Sequence, residues 1–273
     1  MNQQFTLNVH NTKLFGQYWQ SMVVNRVVVL VHGMGEHSSR YERFVIPELL
    51  TQGYAVVAFD LFGHGKSNGK KGCVPSYEAL LEAIHVTINA AENLFPNTPV
   101  ILYGHSLGGN LVLNYALKRP HNLKAVIASS PFLRLAFHPP KWKMILGKLL
   151  LKIAPSVTMP SELDVSAISR DEDEVIRYVS DPLVHDKVSP MYTFPVIAAG
   201  KWAIKAAKTL QTPTLLLHGT GDRITDHKAS IEFCNETNYA HLVVFDDGFH
   251  ELHNDICKNE FMESILSWLK TLN

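Results

Sequence analysis

Short runs of β-branched and other apolar residues, each closed by a turn signal, recur along the chain. They predict strands at 5–10, 14–20, 27–31, 54–59, 100–103, 125–129, 214–218 and 242–245. The last six are nearly continuous apolar runs, as expected of parallel strands covered by helices on both faces. Positions with helical spacing lie between them, at 41–52, 77–94, 107–118, 227–238 and 255–272. This alternation predicts an open, doubly wound α/β sheet that is mostly parallel, with the first two runs as an antiparallel hairpin on its edge.

The alternation fails between Pro131 and Leu210, where the pattern is helical, rich in proline and without a strand signal. Ser169-Arg170-Asp171-Glu172 reads as a capping box opening a helix through Tyr178. An insertion after a strand end, where such sheets bind ligands, suggests a cap over an active site. The expected division is a core of 1–130 and 211–273 with a helical cap at 131–210. A second packing layer without function is the alternative.

Composition narrows the class. Of 273 residues 46% are hydrophobic and 18% charged, and 25 basic against 25 acidic side chains give no net charge. That is a globular chain, and its neutrality argues against nucleic acid as the main partner. No apolar stretch approaches the roughly 18 residues a membrane span requires. Residues 1–10 lack a basic region followed by an apolar core, so no signal peptide is expected. Cys73, Cys234 and Cys257 are odd in number and far apart, which favours reduced thiols in a cytoplasmic protein over a disulfide framework or a Cys-rich zinc site. Cys234, on a helical pattern, reads as a small core residue.

Gly104-His105-Ser106-Leu107-Gly108 fits G-x-S-x-G. Alone the pattern is weak, but a predicted strand precedes it and a predicted helix follows. A serine on such a sharp turn is strained, and its neighbours must be small for helix and strand to pack closely. A serine hydroxyl needs a base to take its proton, and for this turn the chain order is Ser, acid, His. Asp222 follows the strand at 214–218 and His250 follows the strand at 242–245, so all three converge on one sheet edge. Asp246, Asp247 and His253 compete; the two aspartates lie too close to the histidine, and His253 falls in the next helical turn. Charge on a substrate carbonyl oxygen needs fixed donors. Leu107 N–H is one, and Met34 N–H in His32-Gly33-Met34-Gly35 is the other, its glycines admitting close backbone approach.

Other motifs read as structure. His250-Glu251-Leu252-His253 spaces two histidines by three, whereas a zincin needs four, so no metal is expected. The stretch from Asp60 to Ser67 is not a phosphate loop and reads as a turn with buried polar bonds.

These residues resemble the monoacylglycerol lipase and lysophospholipase group of serine α/β-hydrolases along nearly the whole chain. The likeness is carried by the ten residues from His32 to Tyr41, Asp60-x-x-Gly63-His64-Gly65-x-Ser67 and Gly104-His105-Ser106-Leu107-Gly108-Gly109. Ile168-Ser169-Arg170-Asp171, Tyr178-x-x-Asp181-Pro182-Leu183 and His250-x-Leu252-His253 add to it. The resemblance implies an α/β-hydrolase fold with an eight-stranded sheet, a triad of Ser106, Asp222 and His250, and an oxyanion hole of the Met34 and Leu107 amides. It implies a movable cap forming an acyl tunnel, whose polar end near Glu36, Arg40, Tyr41, Tyr178 and His253 receives glycerol. It implies no cofactor, and a monoacylglycerol or related single-chain lipid ester as the partner. Lysophospholipase and broad carboxylesterase activity are the alternatives, with a non-catalytic binding protein behind them. The alternative for Arg40 is a purely structural role, holding the oxyanion loop through Glu36. Ser39 departs from the group, which usually has Gly there, and 132–162 matches it poorly.

Between His138 and Met159 stand Lys141, Lys143, Lys148 and Lys152 and no acidic residue. Trp142, Ile145, Leu146, Leu149, Leu150 and Ile153 recur at helical steps along one face. Either this face packs inward and lines the tunnel, or the helix lies in a lipid headgroup plane and makes the protein peripherally membrane-associated.

Overall fold

A computed structural model of the chain describes residues 2–272. It opens with β1 (Gln3–Val9), β2 (Thr12–Trp19) and β3 (Arg26–Val31), followed by α1 (Val45–Thr51), β4 (Tyr54–Phe59) and α2 (Tyr77–Leu94). β5 (Val100–His105), α3 (Leu107–Lys118) and β6 (Ala125–Ser129) complete the first half of the sheet. The inserted segment holds α4 (Lys141–Ile153), β7 (Met159–Pro160), α5 (Glu172–Ser180), β8 (Lys187–Val188) and α6 (Pro190–Ala206). The sheet then resumes with β9 (Thr214–Gly219), α7 (His227–Asn235), β10 (Ala240–Phe245) and α8 (Lys258–Lys270).

Eight strands form one sheet in the order β1-β2-β4-β3-β5-β6-β9-β10. β2 pairs antiparallel with both β1 and β4, and the remaining neighbours are parallel. The two-residue period of a strand explains the apolar runs. Val27, Val29 and Val31 of β3 belong to the core that α2 and α3 share, while Val28 and Leu30 belong to the one shared by α1 and α8. From β3 the chain steps to β4 on one side and later to β5 on the other. Ligands bind in open α/β sheets at such a reversal, beyond the carboxyl ends of the strands.

The structure departs from the pattern in five places. β10 is an edge strand, half-exposed along most of its length rather than covered on both faces. The helix expected at 41–52 splits into a 3₁₀ turn at Ser38–Arg43 and α1, broken at Phe44 (φ −141°, ψ −64°), because Arg40 and Tyr41 are drawn toward Glu36. α8 starts only at Lys258, since the Asp255 carboxylate is taken by the Phe249 and Arg170 amides. The residue capping α5 is Asp171, whose side chain accepts from Asp173 N–H at 3.0 Å; Ser169 Oγ accepts from Asp171 N–H, before the helix begins, and donates to the Asn254 carbonyl. The inserted segment also contains a short antiparallel pair, β7 with β8, too brief and proline-bound to show a period.

Candidate active site

Ser106 caps α3 in a left-handed conformation (φ 53°, ψ −111°), the strained turn expected of G-x-S-x-G. The turn closes because Gly104 and Gly108 have no Cβ: on either one it would collide with backbone carbonyl groups, of Gly108 and of Val31 respectively. Ser106 N–H donates to the Ser129 carbonyl at 2.9 Å, tying the turn to the end of β6. Leu107 is the first residue of α3, where backbone N–H groups lack intrahelical acceptors and favour negative charge.

Asp222 and His250 meet beyond the ends of β9 and β10, with His250 Nδ1 2.7 Å from Asp222 Oδ2. Asp222 Oδ1 accepts from the Ile224 and Thr225 N–H groups, and Oδ2 also accepts from Thr225 Oγ1 at 2.8 Å. Burial alone would raise the Asp222 carboxyl, but His250 and His218 beside it outweigh that and hold it well below the usual carboxylate range. Burial would lower His250, yet the Asp222 charge wins and raises it above an ordinary histidine. The His250 carbonyl accepts from Ser130 Oγ at 2.7 Å, which fastens this loop to the same strand end that holds Ser106. The His105 ring, one residue before Ser106, lies 4.9 Å from the His250 ring.

The loop after β3 passes directly over Ser106: a Cβ on Gly33 would sit 3.3 Å from Ser106 Cβ. Met34 is the next residue. Glu36 braces the loop, its Oε1 accepting from Gly33 N–H at 2.6 Å and from the Tyr41 hydroxyl at 2.9 Å. Arg40 donates to Glu36 Oε2 at 2.8 Å and to both oxygens of Glu251, at 2.6 and 2.7 Å, with its guanidinium 4.7 Å over the Tyr178 ring. Burial would raise Glu251, but Arg40 outweighs it and pulls this carboxyl down to about 2. Glu36, Arg40 and Tyr41 thus spend polar atoms on one another and on the loop. His253 differs: it is buried, stacked on Tyr41 at 4.8 Å, and neither ring nitrogen has a protein partner. Burial holds it down at about 4, so it stands neutral.

Asp60 fixes the far end of the loop through Ser38 N–H and Oγ, confirming a turn of buried polar bonds. Ser39, the departure from the group's pattern, accepts from Gln17 Nε2 of β2 at 2.8 Å.

The inserted segment is attached unevenly. Residues 165–188 are fastened to the site: Glu251 N–H donates to the Ile168 carbonyl, Arg170 binds Asp255, His37 pairs with Asp181 at 2.8 Å, and His185 N–H donates to the Gly35 carbonyl. α4 has no buried residue. It rests on α6 where Gly147 meets the Phe194 ring, and turns Trp142, Ile145 and Ile153 outward at 62%, 69% and 69% exposure. The apolar stripe therefore faces away from the core. Leu150, counted with that stripe in the sequence, is half-buried at its edge.

A family profile described as serine aminopeptidase, S33, matches residues 23–256. The chain belongs to this family of serine α/β-hydrolases, which includes the monoglyceride lipases. A crystal structure of Paleococcus ferrophilus monoacylglycerol lipase superposes with a TM-score of 0.87 at 36% identity, covering 95% of this chain and 99% of that one. The monoacylglycerol lipase of Mycolicibacterium smegmatis is 30% identical over 246 residues, 89% of this chain and 87% of its own length. An abhydrolase domain-containing protein of Dictyostelium discoideum is 38% identical over 247 residues, but the chain spans only 26% of that protein's length. The fold is the α/β-hydrolase fold, with an eight-stranded mixed sheet.

Sequence reasoning passed over four residues that brace this site. Glu251 and Asn254 join the Arg40 cluster, with Asn254 Nδ2 donating to Glu251 Oε2 at 2.8 Å. Thr225 and His218 both reach Asp222 Oδ2. Only His218 carried a signal, as a histidine closing a strand four residues before the candidate acid.

Proposed function

We propose that the protein is a serine ester hydrolase that cleaves monoacylglycerol to a free fatty acid and glycerol. The observation that carries this is the 2.7 Å pair of His250 and Asp222 at the sheet edge where Ser106 stands in its strained turn. His250 Nε2 takes the Ser106 proton as Oγ attacks the ester carbonyl, and the Met34 and Leu107 amides receive the oxyanion. Asp222 stabilises the imidazolium, which then protonates the departing glycerol oxygen. Water, deprotonated by His250, releases the fatty acid from Ser106. A fluorophosphonate should label wild type and not Ser106→Ala, and a panel of monoacylglycerols, diacylglycerols and lysophospholipids should show monoacylglycerol hydrolysed fastest. Absence of labelling would remove the nucleophile; preference for a lysophospholipid would replace the substrate.

The glycerol is assigned to Tyr178 and His253, with Glu36, Arg40 and Tyr41 as the brace beneath them. A neutral imidazole with an unpaired donor and acceptor suits hydroxyl groups, and losing such partners is what makes a polar site selective. His253→Phe and Tyr178→Phe should each lower kcat/KM for monoacylglycerol by about tenfold or more while changing that for a simple p-nitrophenyl ester little. Equal losses on both substrates would sink the glycerol assignment.

Residues 131–210 act in this reading as the cap, and α4 as its contact with lipid. Among the described residues no helix is long and apolar enough to cross a membrane. α4 instead presents an exposed apolar face flanked by the exposed Lys141, Lys148 and Lys152. Each lysine near an anionic surface contributes about 1 kcal/mol. Lys148→Glu/Lys152→Glu should therefore weaken co-sedimentation with anionic vesicles at least about tenfold, and salt should do the same to wild type. Equal sedimentation of the two proteins would leave α4 without this role.

A further inference from the structure

His218 closes β9, is fully buried, and is not needed by the reaction as written above. Its Nε2 lies 3.1 Å from Asp222 Oδ2 and 3.3 Å from the Thr225 carbonyl. The third neighbour, Thr225 Oγ1 at 3.2 Å, gives its proton to Asp222 Oδ2, and neither a carboxylate nor a carbonyl has one to give, so Nε2 carries the hydrogen. Nδ1 lies 2.8 Å from Ser230 Oγ of α7, whose hydroxyl donates to it and so fixes that tautomer. A hydrogen-bonded line thus runs from Ser230 through His218 to Asp222 Oδ2, the same oxygen that faces His250. We propose that His218 is a positioning residue for the triad: its Nε2–H shares Asp222 Oδ2 with His250 and so sets how much of the carboxylate's charge the base receives. This inference rests on the triad reading of the preceding section.

The physical reason lies in how one oxygen divides its charge. Asp222 stays oriented without His218, because Oδ1 keeps two backbone donors and Oδ2 keeps Thr225. What His218 adds is competition for Oδ2. An unshared carboxylate binds a proton on its partner imidazole more tightly. A base held too basic is protonated at neutral pH and cannot accept the Ser106 proton. The other groups facing His250 are the neutral His105 and His253 rings, and Glu251 and Glu36, whose charges Arg40 neutralises in part. His218 itself faces Asp222, with the His227 ring 6.4 Å away.

The test follows His250 by ¹⁵N-histidine NMR titration in the full chain, a measurement independent of turnover, beside the pH profile of kcat/KM on a p-nitrophenyl ester. His218→Leu should raise the His250 pKa by about one unit and move the acid limb of the profile with it. The plateau should fall less than about tenfold, since Asp222 keeps its other donors. His218→Gln, whose amide N–H replaces Nε2–H, should return the pKa to the wild-type value. Ser230→Ala, which frees the tautomer with little change of volume, should raise it by a smaller amount and decides the matter if His218→Leu does not fold. A merely structural His218 would leave the pKa unmoved in every folded variant, and that result overturns the inference. So does a rise in His218→Leu that His218→Gln fails to reverse. Loss of labelling and hydrolysis in wild type would instead count against the triad, and the NMR shift would still report on His218.

Discussion

Ser106→Ala and His250→Ala should each abolish ester hydrolysis, with turnover falling on the order of a millionfold, as when a comparable triad is dismantled. Both proteins keep the wild-type circular dichroism spectrum, because Ser106 forms the turn through its backbone and His250 is held by its carbonyl and amide. Asp222→Asn is milder yet severe, about ten-thousandfold, since the amide presents the wrong group to Nδ1. The wild-type pH profile has a definite sign. His250 must be neutral to accept the Ser106 proton and is raised by Asp222, so activity is lost as the pH falls through a value above that of an ordinary histidine. Survival of activity in His250→Ala together with its loss in His253→Ala would transfer the base role to His253.

Arg40→Ala should be severely damaging to the fold. It strands Glu36 and Glu251, both buried, and breaking a buried pair by removing one partner costs about 3–5 kcal/mol. The pH dependence follows from the folded carboxyl of Glu251 lying below its unfolded value. Its contribution is present above the ordinary glutamate range and is lost as pH falls through about 2. In Arg40→Ala the sign reverses, because burial without the guanidinium drives the Glu251 carboxyl up. The folded variant then holds protons that the unfolded chain releases, so its stability falls as pH rises from 4 to 7. Urea unfolding at pH 5 and pH 7 should show a gap between wild type and variant that widens at pH 7. A gap of equal size at both would mean that Arg40 contributes packing alone.

Much of this was readable in the chain because its signals are local. Short apolar runs closed by turn signals located seven covered or hairpin strands, and G-x-S-x-G between strand and helix located a serine whose φ is 53°. What the sequence hid depends on long-range bonds. Arg40 and Glu251 are separated by 211 positions, and no spacing rule joins them. Ser169 has the composition of a cap, but its oxygen accepts from Asp171 N–H ahead of the helix while its hydroxyl donates to the distant Asn254 carbonyl, and Asp171 caps α5. Phe44 breaks a helical pattern only because Arg40 and Tyr41 are claimed elsewhere. The periodicity of α4 gave its apolar stripe but not the direction in which the stripe points, which Gly147 and Phe194 settle.

The uneven attachment of the inserted segment separates two kinds of inheritance. Within the insertion, the bonds that reach the His250 loop and the loop over Ser106 come from two short stretches, Ala167 to Arg170 and Asp181 to His185, where each change is felt at the site. The stretch from Phe137 to Pro160 owes the site little, so it is free to diverge while turnover is preserved. With α4 in the lipid-contact role proposed for it, reactivity and habitat are written in adjacent pieces of one insertion, and a descendant of this chain could move to a new lipid surface without relearning its chemistry.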